Sequence, residues 1–374
     1  MSPHLRRFMM PLVLGGLAAA FALASPRFLT PRNLSLLLIE MTATAMLAVG
    51  MLLVILPGQI DLSAGSGVGL IGGVAAVLVF RAGWPAPLAM LAALALALVL
   101  WSAMGALIVR ARIQAFIVTL GGLLVFKGLF WVIIRSSTVP VARGGEANLL
   151  SLLTTYYLPA PAGLVLAAGF AVTATVLKLR QRRQRREAGL EVESGELSFL
   201  RVFTLSQLVL LVVLVCNQYR GLPLAFLLLC VVALAAHVVT RHTPFGRYLY
   251  AIGGNEEAAV VAGIAVPRVV TLAFLLMGGV VALTGFMQTS YAGVSTVSVG
   301  DLMELDAVAA CVIGGTSLRG GRGSVAGALV GAAVMATLLN GMTLLAIAPE
   351  AKFIARGAVL VAAVLLEVQA GRRE

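Results

Sequence analysis

The chain has 374 residues, of which 60% are hydrophobic and only 11% are charged, and its mean hydropathy is +1.04. A soluble domain carries about 25% charged residues, so this composition excludes a soluble globular fold and indicates a chain that lipid solvates. The net charge of +12 is explained by loop arginines that set orientation and contact anionic headgroups. The sequence has no basic stripe interleaved with aromatic residues, so it does not indicate a protein that binds nucleic acid.

Apolar stretches with the length of membrane helices recur along the whole chain. They lie at residues 8–24, 34–56, 66–80, 86–109, 113–134, 160–177, 201–217, 222–240, 268–290, 305–318, 324–347 and 353–368. We therefore predict an all-α polytopic membrane protein with about 10–12 transmembrane helices. Residues 1–374 are expected to form a single transmembrane domain.

The first apolar stretch allows two interpretations. Arg6 and Arg7, the apolar run and Ala22-Leu23-Ala24-Ser25 have the pattern of a cleavable secretory signal. The run from Phe8 to Ala24 is long for a signal and suits a first membrane span equally well. Whether this span is retained stays open at the sequence level.

A glycine-rich turn with polar residues follows the second span. Asp61 and Ser63 lie there, and Thr316 and Ser317 occupy a weakly similar turn later in the chain. Lipid cannot satisfy the backbone groups of such a break, so these four residues are candidates for the translocation path. A plain structural role for Asp61 competes, in which its carboxylate caps the next helix through amides near Ala64.

Few ionisable residues fall inside the apolar stretches. They are Glu40, Lys127, Asp306 and, at an edge, His237. Charges at membrane depth usually face a cavity or a partner, so Lys127 is expected to pair with Glu40 or Asp306, or to extend towards the interface. Three isolated groups do not make a proton relay, which disfavours a proton-coupled carrier.

One charged insertion interrupts the apolar pattern at about residues 178–200. A basic block from Lys178 to Arg186 is followed by an acidic stretch from Glu187 to Glu196. A basic block beside the membrane sets topology and binds anionic lipid, and a specific regulatory role is the alternative.

A second polar segment, at about residues 241–267, separates two spans. Asn255 is suited to cap a helix with Glu256 and Glu257 in its first turn, where carboxylates favour the positive end of the helix dipole. Gly263 is a stop signal and Pro267 a breaker. The sequence predicts a short helix displayed in this loop for a soluble partner, and an ordinary interfacial helix is the alternative.

Lys and Arg residues divide unequally between the two sides of the membrane. With the N-terminus inside, the inner loops hold more than twice as many of the 27 basic residues as the outer loops, as the positive-inside rule requires. We therefore predict a multi-pass protein of the bacterial inner membrane with both termini, the insertion and the 241–267 loop on the cytoplasmic side.

Several stretches together resemble one protein family, in the order in which that family carries them. They are Leu47 to Met51 with Gly58 to Ser66, Phe116 to Gly122, Phe245 to Ala259, and Glu304 to Leu318. The combination is similar to the ABC-importer permeases of the monosaccharide (ribose/xylose) group. Gly253-Gly254-Asn255-Glu256-Glu257 and the basic insertion are most similar to the xylose type.

The resemblance implies a binding-protein-dependent importer permease that works as a homodimer with two cytoplasmic ABC ATPases and an extracytoplasmic sugar-binding protein. Residues 241–267 would be the coupling loop, and the substrate a monosaccharide, with a pentose such as xylose favoured. The residues expected to couple to the ATPase are Gly253, Gly254, Asn255, Glu256, Glu257, Ala258, Ala259 and Gly263.

The sequence lacks the motifs of an enzyme. It contains no GxxxxGK[ST], HExxH or nucleophile elbow, so we expect no catalytic residue, no metal and no cofactor on this chain, with ATP on partner subunits. A stand-alone secondary transporter, or an ABC permease for branched-chain amino acids or an autoinducer, is the alternative function.

Overall fold

The computed structural model describes residues 3–371. The helices are α1 Pro3–Ala24, α2 Pro31–Ile55, α3 Ala64–Phe80, α4 Ala86–Ala111, α5 Ala115–Ile134, α6 Leu149–Thr155, α7 Ala160–Glu187, α8 Gly195–Asn217, α9 Leu224–His242, α10 Pro244–Gly254, α11 Glu256–Val261, α12 Val266–Ala292, α13 Met303–Ile313, α14 Val325–Leu344 and α15 Pro349–Gly371. The strands are β1 Val139–Pro140, β2 Tyr157–Leu158, β3 Leu222–Pro223 and β4 Val294–Ser295.

Each apolar stretch of the sequence corresponds to one long or apolar helix of this structure. Within residues 3–371, eight helices are long and apolar enough to cross a membrane, and the apolar part of α1 and the whole of α3 are shorter. The prediction of an all-α polytopic membrane protein is confirmed. Within the described residues, the seven additional short elements are α6, α10, α11 and the four paired strands at the loops.

The centre of the bundle is α2, whose inner half, from Ala45 to Leu56, is entirely buried. Helices α12, α14, α13 and α9 pack around it, and α3 and α4 pack against α12. Small residues make these contacts close, because a Cβ on Gly72 of α3 would lie 2.6 Å from the carbonyl oxygen of Gly285 in α12. Close backbone approach at small residues is the usual basis of helix association in lipid.

Helix α13 is too short to span a bilayer. Its 11 residues reach about 16 Å, against a hydrocarbon core of about 30 Å. The non-helical segment before it runs along α3, where Gly300 packs against the backbone of Gly65 and Gly69. This crossing is therefore made of a non-helical half, built of turns, and a helical half. Val299 and Gly300 of the non-helical half are buried against α3, as lipid could not satisfy their backbone groups.

The two ends of the bundle carry different connections. At the strand end, β1 pairs with β4 and β2 pairs with β3, both antiparallel. At the opposite end, here called the glycine end, the turns at Leu56–Gly58, Gly253–Gly254 and Gly320–Gly321 are in contact. Helix α12 joins the two ends, since its 27 residues extend about 40 Å.

The charged insertion is more ordered than its composition suggests. Helix α7 continues beyond its apolar part to Glu187, and Arg185 and Arg186 lie in its last turn, where cations favour the negative end of the helix dipole. The acidic stretch then folds back, and Glu193 accepts from Lys178 at 2.9 Å and pairs with Arg201 at 2.8 Å. Glu193 thereby joins α7 to the start of α8.

Candidate coupling loop and translocation path

The candidate coupling loop consists of two successive helices. Helix α10 begins at a Thr243 cap, whose hydroxyl accepts from the amide of Gly246 at 3.2 Å, with Pro244 in the first turn. Asn255 ends α10 and caps α11, because its side chain accepts from the amide of Ala258 at 2.9 Å. The predicted helix with Asn255 as its cap is confirmed, whereas α10 was not predicted within the glycine-broken stretch before it.

The predicted coupling residues divide into an exposed group and a packed group. Exposed residues are Gly254, Asn255, Glu256, Glu257, Ala258 and Gly263, the last with a φ of +81°. Ala259 is buried and Gly253 is half-buried against the end of α2. Only the exposed group is free to contact another protein, and their role in coupling stays a prediction.

Two exposed valines of α11 were not among the residues predicted from the sequence to couple to the ATPase. Val260 is 57% exposed and Val261 is 89% exposed, although both are strongly apolar. They lie beside Glu256 and Glu257 on a six-residue helix. Apolar side chains next to carboxylates on a displayed helix suit the groove of a protein partner.

Asp61 is fully buried and holds two elements together. One carboxylate oxygen accepts from the amide and hydroxyl of Ser63, at 2.8 and 2.6 Å, and the other accepts from Nε1 of Trp101 in α4 at 2.7 Å. The carboxylate reaches the amide of Ser63, one residue before the predicted Ala64. In this single chain, neither Asp61 nor Ser63 is exposed to an open path.

The second pair of path candidates lies in the turn between α13 and α14. Thr316 and Ser317 are both buried. Ser317 donates its amide to the carbonyl of Arg322 at 2.9 Å and its hydroxyl accepts from the amide of Arg319 at 3.3 Å. The buried hydroxyl of Thr316 has no hydrogen-bond partner. The structure therefore places these residues at the glycine end, and a role in the path stays a prediction.

The two partners predicted for Lys127 are both wrong. Lys127 pairs with Asp301 at 3.0 Å, in the turns before α13. Asp306 instead lies 3.6 Å from Nε of Arg356 in α15. The acidic groups named as partners are thus engaged elsewhere, because the non-helical half of the α13 crossing brings its own carboxylate to α5.

Glu40 belongs to a separate polar network. It accepts from the hydroxyl of Tyr291 at 2.8 Å and from the amide group of Asn340 at 3.1 Å. Asn33 then donates to Asn340 at 3.0 Å. These contacts tie α2 to α12 and α14 and satisfy a charge at membrane depth, as such residues require.

Comparison with known proteins gives consistent matches over nearly the whole chain. Residues 33–364 match the profile of the family described as branched-chain amino acid transport system / permease component. The xylose transport system permease protein XylH of Escherichia coli (strain K12) is 40% identical over 92% of this chain and 87% of its own length. XylH of Haemophilus influenzae is 37% identical over 98% of this chain and 97% of its length.

More distant relatives are also sugar permeases. The ribose import permease protein RbsC of Escherichia coli (strain K12) is 31% identical over 94% of this chain and 90% of its own length. No solved structure matches the chain at a significant level.

Proposed function

The chain belongs to the family of branched-chain amino acid transport system permease components, and from this premise we propose that it is the membrane subunit of an ATP-driven importer for a pentose, with xylose as the first candidate. The single observation that carries the substrate is the 37–40% identity to xylose permeases over nearly the full chain. The ribose permease is less similar, at 31%.

ATP binds and is hydrolysed on a partner subunit. The chain has no phosphate-binding GxxxxGK[ST] sequence, and the exposed face of α11 offers carboxylates and valines to a soluble protein. A cytoplasmic ABC ATPase docks there, and a sugar-binding protein delivers the pentose at the strand end. No cofactor is bound by the permease itself.

Two copies of the permease enclose the translocation path. Asp61, Ser63, Thr316 and Ser317 are buried within one chain, so a path that they border opens between copies or after movement of the turns that hold them. ATP-driven closure of the ATPases moves the docked α11 of each copy, and the spans reorient about the shared cavity, as alternating access requires.

The glycine end is cytoplasmic, together with both termini and the charged insertion. This orientation places most arginines inside. The basic extension of α7, from Lys178 to Arg186, then lies at the inner membrane surface. There it contacts anionic headgroups, each basic residue contributing about 1 kcal/mol.

A charge reversal on α11 tests the docking site. Glu257→Arg should reverse a favourable helix-dipole contribution of roughly 0.3–1 kcal/mol and present the wrong charge to the ATPase. In proteoliposomes with the ATPase and binding protein, xylose uptake and sugar-stimulated ATP hydrolysis should both fall, while the permease still inserts.

The matched control is Glu196→Arg. Glu196 is also exposed in the first turn of a helix, two residues after the Ser194 cap of α8, so the dipole penalty is the same. It lies in the insertion instead of the coupling loop and should leave uptake near wild type. Equal uptake by the two variants would show that Glu257 does not carry coupling.

The rival function, a stand-alone secondary transporter, makes a different prediction in the same system. It requires xylose uptake by the permease alone, driven by an ion gradient without ATP or the ATPase. Uptake under those conditions would refute the proposed function directly.

A further inference from the structure

Three turns of the glycine end meet through backbone atoms alone. The contact, here called the glycine junction, is formed by Leu56 at the end of α2, Gly253 at the end of α10, and Gly320 and Gly321 between α13 and α14. The amide of Gly321 donates to the carbonyl oxygen of Leu56 at 2.9 Å. A Cβ on Gly320 would lie 2.8 Å from that oxygen and 2.9 Å from the Cα of Gly253.

Gly253 leaves no room for a side chain at this junction. A Cβ at that position would collide with the carbonyl oxygen of Leu56 and the backbone nitrogen of Gly321. At the next residue, Gly254, nothing lies within 4 Å of a Cβ. Two adjacent glycines of one loop thus have opposite surroundings, and only Gly253 is required for close approach.

A hydrogen bond reinforces the same contact. The hydroxyl of Tyr250, one turn before Gly253 in α10, donates to the carbonyl oxygen of Gly323 at 2.9 Å. Ile252 and Leu249 of α10 are buried as well. Helix α10 is therefore fixed to the α13–α14 turn at two points and to the end of α2 at one.

Both turns that α10 contacts adjoin a short membrane helix. The turn after Leu56 carries Asp61, which is bonded to Trp101 of α4, and leads into α3. The turn at Gly320 follows α13, which is too short to span a bilayer. Backbone contacts have no rotamers that could absorb a displacement, and packed contacts transmit small shifts instead of deforming continuously.

We infer that Gly253 is a positioning residue for transport: the glycine junction makes α10 move as one body with the end of α2 and the α13–α14 turn, so that displacement of the docked α11 reaches α3 and α13. This inference rests on the proposed function, because it assigns the route by which an ATPase at α11 acts on the path.

The test compares alanine at Gly253 with alanine at a helix glycine outside the junction. Wild type, Gly253→Ala and Gly121→Ala are reconstituted with the ATPase and the binding protein, and xylose uptake and phosphate release are measured together. Gly121 lies on an open face of α5, so Gly121→Ala controls for adding a methyl group to a helix and should match wild type. The number of sugar molecules carried per ATP should fall at least fivefold in Gly253→Ala relative to Gly121→Ala.

Equal ratios in Gly253→Ala and Gly121→Ala would overturn the inference. If Gly253→Ala does not accumulate in the membrane, Tyr250→Phe takes its place, since it removes one hydrogen bond without adding atoms. It should carry at least twofold less sugar per ATP than Tyr248→Phe, at an exposed tyrosine of the same helix, and equal ratios would again overturn the inference. Wild-type uptake that needs no ATP would instead refute the proposed function, and the inference with it.

Discussion

Asp61 is the acidic residue among the four candidates for the translocation path, and hydrogen bonds hold its carboxylate in place. Its two oxygens accept three hydrogen bonds from Ser63 and Trp101, and the side chain has no exposed surface. An ionised carboxylate accepts hydrogen bonds and donates none, so this set of three bonds requires both oxygens to be acceptors. This geometry makes Asp61 a link between the α2–α3 turn and α4 before any contact with sugar.

Asp61→Asn should destabilise the fold. Asparagine has a single acceptor oxygen, so its NH₂ group must face the Nε1–H of Trp101 or the amide of Ser63, and one buried donor is left unpaired at a cost of roughly 1–3 kcal/mol. The thermal unfolding midpoint in detergent should fall. In a Trp101→Phe background the same change should cost less, because the competing indole donor is gone, and equal costs would contradict this account.

Polar partners far apart in the chain were beyond the sequence interpretation. Lys127 and Asp301 are separated by 174 positions, and no local pattern in the sequence links them. The docking helix at Asn255 was predictable, since capping and dipole preferences are local. The Trp101 partner of Asp61 was not, because nothing local specifies which helix packs on a turn.

At the scale of elements, local sequence likewise predicted some helix boundaries and missed others. The apolar stretches predicted the long helices because burial in lipid demands continuous hydrophobic length. They also predicted a span at residues 305–318, where the helix covers only Met303–Ile313. The remainder of that crossing consists of turns, and its Gly300 packs against Gly65 and Gly69 of α3, a contact that nothing local in the sequence specifies.

The ion pairs of Glu193 with Lys178 and Arg201, which join α7 to α8, should depend on pH. The hydrogen bond from Lys178, with the charge of Arg201 nearby, lowers the pKa of Glu193 below its ordinary value of 4.5. Because the folded-state pKa of Glu193 is lowered, the stabilisation that these ion pairs contribute is fully present above pH 4.5 and is lost as the pH falls through the lower, folded-state pKa. Hydrogen exchange at residues 188–194, corrected for the intrinsic exchange rate, should show that these amides stay protected until the pH falls to the folded-state pKa of Glu193, and that they lose this protection at lower pH.

Glu193→Gln should remove this protection already at neutral pH. Glutamine keeps the shape but not the charge that Lys178 and Arg201 contact. Glu191→Gln, an exposed carboxylate in the same acidic stretch, is the matched control and should exchange as wild type does. Equal protection in the two variants would mean that the ion pairs do not hold the hairpin.

At the scale of the whole molecule, contacts between loops agree with the alternation of spans. Val139 pairs with Ser295 and Leu158 with Leu222, which requires their four loops to share one end. Leu56, Gly253 and Gly321 share the other. The charged insertion follows the same alternation, because α7 leaves the strand end at Ala160 and α8 returns to it at Asn217. The insertion should therefore share a membrane side with the coupling loop.

Single cysteines at Arg183 and Ser298 test which side that is. Both positions are exposed, and the three native cysteines, Cys216, Cys230 and Cys311, are replaced first. In intact cells with a permeable outer membrane, an impermeant thiol reagent should label Ser298→Cys and spare Arg183→Cys, because the positive-inside rule predicts a cytoplasmic position for the arginine-rich end. A membrane-permeant thiol reagent should label both, which shows that protection reflects the membrane and not burial. Labelling of position 183 alone would reverse the orientation and place α11 outside, where no ATPase could dock on it.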